Sequence, residues 1–180
     1  LNVFELPMPA NEYVYRYAIL GREAFSENRL EDAELFDRKA LGHARKRLKT
    51  CPQDLLAVRD VAICWDRLRY LLQRIGEVEE AKDACLEADR RYSQVVELAG
   101  RYGDFGRELA RFRWGAAALH LQDQNYADAK TLLESSVEIL WVRSLAEPTC
   151  RERLRELAEA MVRLGIAIVG QCELELRHGQ

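Results

Sequence analysis

Helix breakers are scarce in this chain: four prolines occur in 180 residues, Pro7, Pro9, Pro52 and Pro148. None lies inside a segment of periodic hydrophobicity, so long helices can run between them. A strand-like alternation of apolar and polar residues is missing too, which excludes half-buried sheets. No apolar run approaches the roughly 18–20 residues that span a bilayer, and no basic-then-apolar segment opens the sequence. The first residue is Leu1 rather than Met, from which we expect a module of a longer polypeptide. The five cysteines (Cys51, Cys64, Cys85, Cys150, Cys172) contain no CxxC pair. Zinc-ribbon and thioredoxin-like chemistry is thereby excluded, and buried thiols in a reducing, cytoplasmic setting are expected. An excess of positive charge is lacking as well: 27 basic against 30 acidic residues leave a formal charge of −3. That balance disfavours nonspecific nucleic-acid or anionic-membrane binding.

What the chain does contain is repetition. Arg59-Asp60-Val61-Ala62 returns as Arg107-Glu108-Leu109-Ala110 and as Arg155-Glu156-Leu157-Ala158, at intervals of 48 residues. Ala33, Ala81 and Ala129 keep the same spacing, as do the small residues Ala40, Ala88 and Ser136. A constant period of this size marks a stack of supersecondary units that share a continuous core. Apolar residues at i, i+3, i+4 and i+7 predict helices over 10–26, 30–49, 53–74, 78–100, 104–122, 126–146 and 150–177. Turns around Glu27-Asn28, Ile75-Gly76 and Gln124-Asn125 join the helices of each pair, and turns this short make the pairs antiparallel. Thr149-x-x-Glu152 reads as a capping box for the last helix. The predicted organisation is one domain over 1–180, with repeats near 5–52, 53–100 and 101–148 and a terminal helix over 149–177.

Two sets of repeated residues are assigned to the interfaces between units. Helices approach to about 8–10 Å only where small side chains meet, which gives Ala33, Ala81 and Ala129 the role of close contacts. The recurring charges Arg59, Asp60, Arg107, Glu108, Arg155 and Glu156 are expected to form a ladder between repeats. Neighbouring residues on one helix do not face each other, and interface residues repeat where partner-binding residues vary.

Chemistry-bearing constellations are weak. His43, His120 and His178 never stand at i, i+4 spacing with another ligand, so no metal site and no cofactor are expected. Gly100-Arg101-Tyr102-Gly103-Asp104-Phe105-Gly106 carries the letters of a kinase triplet but none of its companions, and reads as glycine punctuation of a helix end. Arg107, Arg111 and Arg113 interleave with Phe112 and Trp114. That pattern can grip single-stranded nucleic acid, but the acidic overall charge favours an amphipathic helix with its arginines toward solvent and its aromatics packed. No nucleophile–base or paired-carboxylate arrangement suggests an enzyme.

The repeat resembles the tetratricopeptide repeat. The first copy supplies Tyr17, Leu20-Gly21 and Ala24, then Ala33 and Ala40. The second supplies Trp65, Leu68, Leu72 and Gly76, then Ala81 and Ala88. The third supplies Ala116-Ala117, Tyr126, Ala129, Leu133 and Ser136. The family's usual period is about 34 residues, so units of 48 resemble its long-repeat bacterial and kinesin-light-chain-like branch. The resemblance implies an all-α, right-handed superhelix of antiparallel helix pairs, about three and a half repeats and seven helices. It also implies a concave groove lined by first helices, where Tyr15, Arg22, Phe25, Asp66, Tyr70, Gln73, Arg74, Arg111, Trp114, Gln122, Glu159 and Val162 take the inward positions. A scaffold that receives a peptide or helix of a protein partner is the function implied. A regulatory or sensor segment of a bacterial signalling protein of the kinase, protease or nucleotide-switch type is the alternative, and a nucleic-acid-binding solenoid stands behind both. The segment Met161–Val169 is apolar on nearly all sides, so the terminal helix is expected either to insert into the groove, to meet a further repeat, or to form a homo-oligomer.

Overall fold

The computed structural model describes residues 10–101 and 103–178. Pro7, Pro9, Tyr102 and the expected start of the first repeat near residue 5 lie outside the described residues. Among those described there are seven helices and no strand: α1 (Ala10–Ser26), α2 (Leu30–Thr50), α3 (Leu55–Ile75), α4 (Val78–Ala99), α5 (Asp104–Gln122), α6 (Tyr126–Ala146) and α7 (Arg151–His178). Each helix ends within two residues of its sequence-based bounds.

The period is written into the turns. Asn28, Gly76 and Gln124, 48 residues apart, adopt left-handed backbone with φ of 58°, 90° and 56°. Behind each, a backbone N–H reaches five residues back: Arg29 to the Ala24 carbonyl at 2.8 Å, Glu77 to Leu72 at 2.9 Å and Asn125 to His120 at 2.8 Å. This pattern satisfies carbonyls that a helix end would otherwise leave unpaired. Side chains cap the starts of α3 and α6, where Asp54 accepts from the Leu56 N–H and Asn125 from the Asp128 N–H. Thr149 does not cap α7. The turn after α6 carries through to Cys150, whose N–H donates to the Glu147 carbonyl and whose own carbonyl accepts from Leu154. The helix therefore starts one residue later than the capping box requires, and the Glu152 carboxylate is bonded to Arg107 instead.

The chain divides into two compact units, Leu1–Val95 and Val96–Gln180. In the first, Leu41, Val61, Leu68 and Leu72 pack with Ala81 and Ala84 of α4, while Ala24 and Ala33 meet Leu71. Each fully buried leucine contributes about 1.5–3 kcal/mol relative to its exposed state. In the second unit Ala117, Ala129, Leu133 and Ala167 form the centre, flanked by Trp114, Leu132 and Leu164. Ala33, Ala81 and Ala129 are all fully buried. Gly170 of α7 has a packing reason, since a side chain there would run into the Tyr126 ring.

Burial also sets the thiol chemistry. Desolvation pushes the Cys64 thiol up to about 12 and that of Cys85 up to about 11, whereas Cys51 is exposed. A thiolate is the reactive form. Ellman's reagent near neutral pH is therefore expected to modify Cys51 promptly, and Cys64 and Cys85 only after denaturant is added.

Candidate partner-binding recess

In the first unit the three helices α1, α2 and α3 leave a recess of about 340 Å³. Its floor is ionic. Asp37 of α2 is 4% exposed, and its carboxylate accepts from Arg67 of α3 twice, from Nη2 at 2.7 Å and from Nε at 3.0 Å. Burial raises the Asp37 carboxyl above its ordinary value, and the Arg67 charge opposes that rise without cancelling it. Gly21 makes room for the pair: a side chain on Gly21 would collide with the Asp37 carboxylate. Beside them Arg69, 5% exposed, donates through Nε and Nη2 to Asp66 one helical turn earlier, at 2.9 and 2.7 Å.

The rim is aromatic and cationic. The Phe25 and Tyr70 rings stand 5.5 Å apart at a tilt of 50°, within the range favoured for aromatic pairs. Arg22 is exposed on the same lining and makes no ion pair among the described residues. Three arginines against two aspartates leave the recess one positive charge in excess, and that charge sits at the mouth.

Four residues assigned to the groove, Arg22, Phe25, Asp66 and Tyr70, thus line one recess. Tyr15, Gln73 and Arg74 lie in the same unit but not on this lining. Tyr15 and Arg74 are exposed and Gln73 half-buried. In the second unit the Trp114 ring is covered by the Arg163 guanidinium, 4.5 Å from the ring centroid, so the indole is part of a packed cation–aromatic pair. Arg111 is 3.8 Å from the Glu156 carboxylate, and Glu159 is 3.5 Å from Arg155 on its own helix. Gln122 is exposed at the end of α5. Val162 lines a different hollow, with Tyr126, Gly165, Ile166 and Val169.

Asp37, Arg67 and Arg69, which build the floor, were missed in the sequence. A signal exists in the repeat register. Asp37 stands where the later copies have Cys85 and Leu133, and Arg69 where the other copies have Gly21 and Ala117. A charge in a slot that is apolar or small elsewhere marks a local departure from the stacking rule.

The repeated Arg-acid pairs meet different partners in different copies. Asp60, 4% exposed, accepts from Arg47 Nη1 of α2 at 2.7 Å. Glu156 of α7 accepts from Arg107 of α5, from Nε at 3.0 Å and Nη2 at 2.8 Å, one repeat apart. Arg155 turns to Glu159 within α7. Arg59 and Glu108 both have interaction partners. Phe112 is in the core and Arg113 donates to the Ser135 hydroxyl at 2.6 Å. His43 is stacked between Tyr13 and Tyr17, with centroids at 4.9 and 5.5 Å, while His120 lies 3.8 Å from Asp128. Among the described residues no group of three or more His, Cys, Asp or Glu is placed to hold a metal, and no helix is long and apolar enough to cross a membrane.

An all-α stack of 48-residue helix pairs with a tetratricopeptide-like arrangement is the class that these elements define. Among solved structures the chain is similar to BtubC (BKLC) from P. vanneervenii, with a TM-score of 0.62 at 14% identity over 95% of this chain and 68% of that one. At that identity the likeness speaks for the fold. No protein-family model matches the chain, and no curated protein does.

Proposed function

We propose that this chain is a protein-interaction scaffold whose first unit receives a side chain of a partner peptide or helix in the recess between α1, α2 and α3. The observation that carries the reading is the lining itself. Aromatic rings and an arginine without an ion-pair partner surround a concave site with an ordered ionic floor. Aromatic residues and arginine are the side chains on which binding energy concentrates at protein interfaces. The excess positive charge at the mouth suits a partner segment with an acidic residue beside a large apolar one. The proposal assigns the chain no catalytic step, and its free thiols suit a cytoplasmic setting.

The nucleic-acid alternative has less to support it: Arg107 and Arg113 are bonded to Glu156, Glu152 and Ser135 and Phe112 is inside the core, while Arg111 stays largely exposed, 3.8 Å from Glu156.

Selection from a displayed peptide library against the purified chain tests the reading. Enriched peptides should share an acidic–apolar pair, and Tyr70→Ala or Arg22→Glu should weaken their binding at least about 10-fold, the size expected for anchor residues. Enrichment that survives both substitutions would place the binding surface elsewhere.

A further inference from the structure

One face of α7 has no partner among the described residues of its unit. Adding one period to the α5 residues that meet α6 identifies that face. Gly106 approaches Ile139, the Ala110 carbonyl accepts from Ser136, and Arg113 donates to Ser135. Ala117 packs on Ala129 and Leu133, and His120 lies near Asp128. Their counterparts 48 residues on are Leu154, Ala158, Met161, Gly165 and Ile168. In α7 this stripe is open: Leu154 is 43% exposed, Met161 49% and Ile168 41%. A surface that is an interface in one repeat is uncovered in the next.

The stripe continues to Cys172 with alternating steps of four and three residues, the spacing of a coiled-coil seam. Large and small residues alternate along it: Leu154, Ala158, Met161, Gly165, Ile168, Cys172. Between Glu159 and Glu173 the only charged residue of α7 is Arg163. That side chain is turned to Trp114, away from the seam. Gly165 sharpens the point. Glycine is a poor helix former, and a side chain at this position would meet nothing within 4 Å. No contact among the described residues requires its smallness.

We propose that α7 pairs antiparallel with α7 of a second copy, with Gly165 as the point of close approach. Turned antiparallel about position 163, the seam is complementary to itself. Leu154 faces Cys172, Ala158 faces Ile168 and Met161 faces Gly165, so a large residue meets a small one in each layer. At the ends Arg151 comes opposite Glu175. Arg151 is exposed, and Glu175 accepts only from Gln171 of its own helix at 3.0 Å among the described residues. An isologous contact of this kind closes after two copies.

Sedimentation of the 180-residue chain over a dilution series is the test. A dimer is expected at about 100 μM, dissociating on dilution. Ile168→Glu should raise the dissociation constant at least about 100-fold, as loss of a central anchor does, with helicity unchanged because the position is exposed. Gly165→Leu separates packing from folding. It should raise the thermal midpoint of the dilute chain by removing a helix-interior glycine, and weaken the dimer by a similar factor. Orientation is read by oxidation. Leu154→Cys should form a disulfide with Cys172 of the second copy, whereas two native Cys172 residues would lie about 27 Å apart along the axis and should not link. A chain that stays monomeric at this concentration would overturn the proposal and leave the stripe to a helix from elsewhere. A dimer indifferent to Ile168→Glu and Gly165→Leu, or one linked through Cys172 to Cys172, would overturn it equally.

Discussion

Asp37→Ala is expected to lower the stability of the chain by about 3 kcal/mol, measured by urea denaturation followed through helical circular dichroism. The loss has little to do with the attraction between Asp37 and Arg67. Removing one member of a buried pair strands the other, and an uncompensated buried charge costs about 3–5 kcal/mol. Arg67 retains partial solvent access, with a quarter of its side chain exposed (26%), which places the expectation at the lower end. The double variant Asp37→Leu/Arg67→Met should recover most or all of the loss. Leucine and cysteine already occupy the Asp37 slot in the later copies, and apolar replacement of a whole buried pair is often neutral or stabilising.

The pH dependence has a definite sign. Burial raises the Asp37 carboxyl above its ordinary value of 3.8. The folded chain therefore holds that proton more tightly than the unfolded chain does. Stability from this group is fully present below the ordinary value and declines as pH rises through the raised one. Mild acid should accordingly not destabilise the fold through Asp37, because the protonated carboxyl keeps an oxygen that accepts from Arg67, an acceptor that alanine lacks. A wild-type-like melting curve for Asp37→Ala would show that Arg67 finds water or another partner, and would remove the ionic floor from the account of the recess. If Asp37→Ala also loses the selected peptides while the double variant regains stability but not binding, the pair serves recognition rather than folding.

Asp60→Lys should cost about as much, roughly 3–5 kcal/mol. It would place a second cation where Asp60 now accepts from Arg47, at a position 4% exposed. The Arg47 guanidinium also binds Asp54, the N-cap of α3, so repulsion there would disturb a helix start as well. Arg155→Glu changes the corresponding motif two repeats later, on a side chain that is 74% exposed. Its effect should stay within about 0.5 kcal/mol, the usual range for exposed ion pairs and surface changes. Equal losses for the two substitutions would mean that the repeated motif acts through something common to all copies; a large loss confined to Asp60 would mean that burial decides.

That contrast shows what was legible in the residues and what was not. The helix bounds and the turns could be read from the chain because they depend on local rules. A left-handed residue at 28, 76 and 124, an apolar stripe of helical period and the absence of proline each act within a few residues. The buried small positions Ala33, Ala81 and Ala129 could be read because a stack of identical units imposes the same crowding at each. Half of the recess was accessible by carrying inward positions from copy to copy, which reached Arg22, Phe25, Asp66 and Tyr70. Its charged floor was not, because Asp37 and Arg67 are 30 residues apart and nothing local pairs them.

The sequence by itself determined an all-helical repeat of 48 residues, since periodicity and turn chemistry are properties of the chain read along its length. Only the tertiary structure decided which copies of a repeated residue are buried. The acid of the repeated motif is buried beneath α2 at Asp60 and half-buried between α5 and α7 at Glu156, while its arginine is half-buried at Arg59 and Arg107 and exposed at Arg155. Burial depends on what packs above a residue, and that neighbour differs at each place in the stack.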